Sequence, residues 1–195
     1  MNFWNRFWGV CQYELQNVSF SYFVAFSLIG AALVHVGCLI YVRVKKQPIY
    51  LSTEIIIMLL VSYLIFIAQI TVLNREYERG ARTFDTKSLR IDSSMRQNLT
   101  NLLNVFLFFP LGILLAGLQY HKRCIYRIIM AVSYCFLASF LIECTQYITN
   151  RGYFEIDDIE ANMLGGLSGN IFLWLCFRAV RLISTMRRCE NGKET

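Results

Sequence analysis

Glu143 and Asp158 are the side chains from which chemistry is first expected, because both sit in or at the mouth of long apolar runs. Ionisable groups in such runs are costly and mark functional sites by default. Glu143 is followed three residues on by Gln146; Asp158 is preceded by Asp157 and followed four residues on by Asn162. A third pair, Asn101 and Asn104, opens another apolar run. Steps of three and four put both members on one helix face. Carboxylates among amides suit acid–base work, with Glu143 as base, Asp158 as partner and the amides positioning a substrate. The oxygens of Glu143, Asp157 and Asp158 also suit a hard divalent cation. Arg151, eight residues past Glu143, is placed to balance its charge across a helix end. Each group has a plainer reading as well. Asn101, Asn104 and Gln146 serve equally as hydrogen-bonded ties between helices, and Asp157 and Asp158 as solvated acids favoured at a helix start.

The elements that carry these groups follow from the hydrophobic pattern. Of 195 residues 56% are hydrophobic and 16% charged, and the charges fall in short blocks between continuous apolar runs. Lipid is therefore the expected solvent, where only helices and closed barrels satisfy every backbone polar group. Continuous rather than alternating runs select helices. A span takes roughly 20 apolar residues, and runs at about 20–42, 55–73, 99–118, 125–148 and 159–177 fit. The expected fold is an all-α integral membrane protein, a bundle of about five transmembrane helices. Residues 1–19 precede it and residues 178–195 form a basic tail. In the leading segment Trp4, Phe7, Trp8, Cys11 and Leu15 recur at steps of three or four, which suits an interfacial amphipathic helix or a ragged start to the first span. The seven cysteines include no CxxC pair and read as free thiols. The net charge of +6 is spread over helix-flanking loops, which encodes membrane topology and gives no reason to expect nucleic acid.

With the amino terminus outside, eleven Lys and Arg residues fall inside and eight outside, six of the eight in the stretch 74–98. Positive charge favours the cytoplasmic side, so the carboxyl terminus is expected in the cytoplasm and the protein in the cell membrane. That orientation brings Asn101 and Asn104, Glu143 and Gln146, and Asp158 and Asn162 to one, outer, end. At about 1.5 Å rise per residue, Asn104, Glu143 and Asn162 lie roughly 5–9 Å below the outer boundary. A shared polar pocket opening outward is the expectation. Other features are architectural: Gly165 and Gly169 allow close helix approach, Pro110 bends its helix, and His35 is expected to bond a neighbouring helix.

Asn101-Leu-Leu-Asn104-Val-Phe-Leu-Phe-Phe-Pro110-Leu-Gly112 resembles the N-x-x-N-x-x-x-F-x-P-x-G segment of the VanZ-like family. Glu143-Cys-Thr-Gln146 is similar to that family's E-x-x-Q, and the stretch from Asp157 to Gly169 to its D-D-x-x-x-N-x-x-G-G-x-x-G. The N-L-x-P-F-like element common before the first motif is not found between Asn74 and Asn98, where there is no proline. The family occurs in many Gram-positive bacteria, and its namesake is an accessory membrane protein of glycopeptide resistance clusters linked to teicoplanin. The resemblance implies a cell-envelope role. Two readings stand: a non-catalytic protein that lowers lipoglycopeptide binding at the outer leaflet, or a membrane enzyme acting on the antibiotic or a lipid-linked peptidoglycan precursor. The lipid bilayer is the expected partner in both. No HExxH or GxSxG motif supports the second, and no cofactor or resident metal is assigned. A lipid transporter has little support without a repeated half.

Overall fold

The structure, a computed structural model, describes residues 3–15, 18–73, 75, 84–85 and 95–191. Most of the long loop expected outside, and the last residues of the basic tail, lie outside the described residues. Helix α1 spans Phe3–Leu15, α2 Phe20–Lys45, α3 Leu51–Ala68, α4 Met95–Leu118, α5 Cys124–Thr149 and α6 Ile156–Asn191. Five stretches are long and apolar enough to cross a membrane: Phe20–Lys45, Leu51–Leu73, Gln97–Leu118, Cys124–Thr149 and Ile156–Met186. The all-α membrane bundle is thereby established. α6 does not stop near residue 177 but runs on to Asn191, because no Gly or Pro interrupts residues 170–190. α1 is a helix separate from α2, with the Phe7 ring 6.2 Å from Phe106 of α4 and Trp4 and Trp8 exposed.

Helices α4, α5 and α6 form the tight centre. Gln97 meets Asp157, Val105 lies under Gly165 and Phe109 under Gly169, so α4 and α6 run side by side in one direction. A Cβ on Gly165 or Gly169 would collide with the carbonyl of Val105 or Phe109, and one on Gly166 with Cys135 Sγ. Glycine is required there because backbone touches backbone. α5 runs the opposite way, with Ser139 facing Asn162 and Arg127 facing Asn170. Phe108, Leu111, Leu115, Ala131 and Cys135 fill the seam with Ile67 of α3. Six cysteines are free among the described residues.

Pro110 sits inside α4 without ending it. The turn it loosens is met by Tyr63 of α3, whose hydroxyl donates to the Leu107 carbonyl at 2.7 Å. His35 of α2 does reach a neighbouring helix, pairing through Nδ1 with Glu54 of α3. α3 closes in a π turn, Gln69–Leu73, and a two-residue parallel pairing sets Phe84–Asp85 beside Phe154–Glu155. The bundle therefore has two chemically distinct ends. One collects the carboxylates: the close of α3, the start of α4, the close of α5 and the start of α6. The other lies at the α4–α5 turn.

Candidate functional site

The carboxylate end is built from a chain reversal. α5 closes at Asn150, which takes the left-handed conformation (φ 53°, ψ 41°), and the Arg151 amide returns to the Gln146 carbonyl at 2.9 Å. Gly152 keeps the turn tight, since an added Cβ would stand 3.0 Å from Arg75 Nη1 and 3.2 Å from Gln146 Oε1. Residues 154–155 consequently fold back over α5. There the Glu155 amide N–H donates to Glu143 Oε2 at 3.0 Å, and Glu143 is 2% exposed. Burying a carboxylate demands such a donor.

The first turn of α6 adds more acids. Glu155, Asp157 and Asp158 each present a carboxylate oxygen, all within 4.8 Å of one another, and strand register places Asp85 beside Glu155. Asp157 accepts from Gln97 Nε2 at 2.8 Å. Asp158 is buried and its Oδ1 has no hydrogen-bond partner. Burial pushes the Glu155 carboxyl above its ordinary 4.5; the Asp157 charge pushes the same way and Arg75 opposes both. Asp157 and Asp158 also face the favourable positive end of the α6 dipole.

The residues expected from sequence share this end in different ways. Asn162 donates to Ser139 Oγ at 2.8 Å, leaving its carbonyl oxygen without a partner. Asn101 is buried with its Oδ1 unpartnered, and Asn104 is half-buried with its Nδ2 unpartnered. Gln146 acts as a tie, donating to the Thr71 carbonyl at 2.8 Å. Arg151 departs from expectation. Its Nη1 donates to the carbonyls of Val72 and Leu73, at 3.1 and 3.3 Å, rather than turning to Glu143. Carbonyls that close a helix lack intrahelical donors, and the reversal at Asn150 sets Arg151 over them. Among the described residues, the cation whose field reaches Glu143, Glu155 and Asp158 is Arg75.

Sequence reasoning missed four participants: Glu155, Arg75, Ser139 and the buried Gln69. Glu155 stands two and three residues before Asp157 and Asp158, a spacing that marks it as a third acid. Gln69, interrupting an apolar run, carried the same signal as Gln146. Arg75 lay among several loop cations and Ser139 among small residues, and nothing in the sequence separates them out. The three carboxylates close enough to share a cation are Glu155, Asp157 and Asp158, whereas Glu143 accepts from the Glu155 backbone amide.

Buried carboxylates with spare oxygens, amides with free donors and acceptors, and the nearby Arg75 guanidinium can bind a polar group, hold a proton or take a hard cation. Fold and site together define a multi-pass helical membrane protein with a buried carboxylate–amide cluster at one end of its bundle. The chain matches the VanZ/LLP1 family over residues 55–178, and it belongs to that family. Among curated proteins no match to the chain is found, and none among solved structures.

Proposed function

We propose that this VanZ-like membrane protein acts at the outer leaflet of a Gram-positive cell envelope. There it lowers the binding of lipoglycopeptide antibiotics of the teicoplanin type. What supports this reading is the gathering of Asn101, Asn104, Asp158 and Asn162 at one bundle end, each with a buried polar atom that no described residue partners. Buried polar atoms are normally satisfied, so a group of orphans at headgroup depth suits a polar ligand. The ligand would be the drug, a lipid-linked peptidoglycan precursor or the anchoring lipid. Teicoplanin differs from vancomycin by an acyl tail, which a protein at membrane level can discriminate.

Expression in a susceptible Gram-positive host tests the reading. Inhibitory concentrations should rise for teicoplanin and not for vancomycin. Asn104→Ala with Asn162→Ala should remove most of the rise at unchanged membrane abundance. No rise for either drug would sink this role.

One observation favours a second reading. The close carboxylates of Glu155, Asp157 and Asp158 are the oxygen set a hard divalent cation takes; as cation ligands, or with Glu143 and Asp158 as acid–base groups, they suit an enzyme acting on the antibiotic or the precursor. Glu143→Gln and Asp158→Asn preserve shape and remove the base and the charge. If both variants protect cells as well as the parent, catalysis is excluded.

A further inference from the structure

The other end of the bundle carries a feature that the carboxylate site does not use. The α4–α5 turn and the middle of α6 line a half-open cavity of about 190 Å³. Its lining includes Lys122, Arg127, Arg178 and Arg181 and, among the described residues, no acidic one. Arg127, within the first turn of α5, is 4% exposed, and its Nε and Nη2 have no hydrogen-bond partner. A guanidinium buried without a counterion is strongly disfavoured. The surroundings hold the Arg127 backbone and two of the other cations. Asn170 Nδ2 donates to the Arg127 carbonyl at 3.4 Å, and Arg181 Nη2 donates to the Tyr120 hydroxyl at 3.0 Å. The Arg178 guanidinium lies 5.0 Å from the centre of the Trp174 ring.

We propose that this pocket is an anion site that takes a phosphoryl group. Arg127 is its buried ligand, with Lys122, Arg178 and Arg181 around it. The planar guanidinium fork matches phosphate oxygens, and the unpartnered Arg127 charge at the wall of a cavity lined by three further cations favours an anion there. At about 30 Å³ for a water, the cavity has room for a phosphoryl group with a few waters. Basic pockets between helices at a membrane surface are where anionic lipid headgroups bind. An anionic phospholipid and a soluble phosphate present the same chemistry, and experiment separates them.

The full chain is reconstituted in nanodiscs of phosphatidylcholine with a minor fraction of phosphatidylglycerol, and lipid carried through extraction is quantified by native mass spectrometry. Phosphatidylglycerol should be enriched about fivefold or more over its share of the disc. Arg127→Gln should abolish the enrichment, and Arg178→Gln or Arg181→Gln should each cut it about fivefold. Arg43→Gln, which removes an exposed cation outside the cavity lining, should leave it unchanged. In a second arm, inorganic phosphate is titrated into discs of phosphatidylcholine alone. A rise in unfolding midpoint over that with chloride, absent in Arg127→Gln, identifies a soluble anion. Enrichment that excess phosphate fails to displace identifies the headgroup. Neither effect in the parent, or equal effects in parent and folded Arg127→Gln, overturns the proposal. If Arg127→Gln does not fold, undiminished enrichment in the Arg178→Gln/Arg181→Gln double variant overturns it.

Discussion

Both ends of this bundle bury an ionisable side chain almost completely, Glu143 at one and Arg127 at the other, yet they treat it differently. At the carboxylate end the chain doubles back so that the Glu155 amide meets Glu143, and Arg151 and Gln146 tie the reversal to the π turn of α3. At the arginine end no group among the described residues meets Arg127 Nε or Nη2. The first arrangement is self-contained around its acid and leaves its orphans among the amides and Asp158. The second leaves a buried charge without a counter-charge beside a cavity that Arg127 lines. A buried charge can thus be satisfied by backbone, or held ready for a ligand. The two cases separate under mutation.

The seam common to both ends gives the largest effect. Gly169→Val drives a side chain into the Phe109 carbonyl and should cost about 3 kcal/mol, since overpacking where backbone touches backbone has no rotamer escape. Denaturant unfolding in micelles checks it, and both ends should loosen together. Glu143→Ala orphans the Glu155 amide and should cost about 1–3 kcal/mol, whereas Glu143→Gln, which keeps an acceptor, should cost less than about 1. The arginine end should answer with the opposite sign. Arg127→Met removes an unpartnered charge and, in zwitterionic micelles free of phosphate, should be neutral or stabilise by about 1 kcal/mol. A loss of several kcal/mol there would mean that the chain itself satisfies Arg127.

The smallest expected effect is that of pH at Glu155. Burial, then the Asp157 charge, raises its carboxyl above the ordinary 4.5. The folded chain therefore holds that proton more tightly than the unfolded one. Its contribution is most favourable below pH 4.5 and is lost as pH rises through the raised folded value. Without divalent cations, Glu155→Gln should flatten the stability–pH slope just above pH 4.5 and leave the slope at alkaline pH alone.

What the sequence made legible was set by period and cost. Continuous apolar runs announced the spanning helices, and isolated acids and amides inside them announced Glu143, Asp158, Asn101, Asn104, Gln146 and Asn162. The role of Arg151 was not legible, because it depends on a left-handed Asn150 and on a π turn far away in the chain. Arg127 falls at the start of the run 125–148, close behind the loop cations Lys122 and Arg123; flanking charge and buried charge look alike until helix packing sets the depth. His35 was expected to bond a neighbouring helix, but Glu54, at the head of α3, was not identifiable as its partner.

The claim on which the proposed function depends is that the carboxylate end faces outward, and thiol labelling of intact cells tests it. The chain keeps Cys124, exposed at the arginine end, carries Tyr153→Cys at the carboxylate end, and has its other cysteines replaced. A membrane-impermeant maleimide should label position 153 on intact cells and reach Cys124 only after permeabilisation. Labelling of Cys124 on intact cells, with position 153 protected until the membrane is opened, would contradict the account.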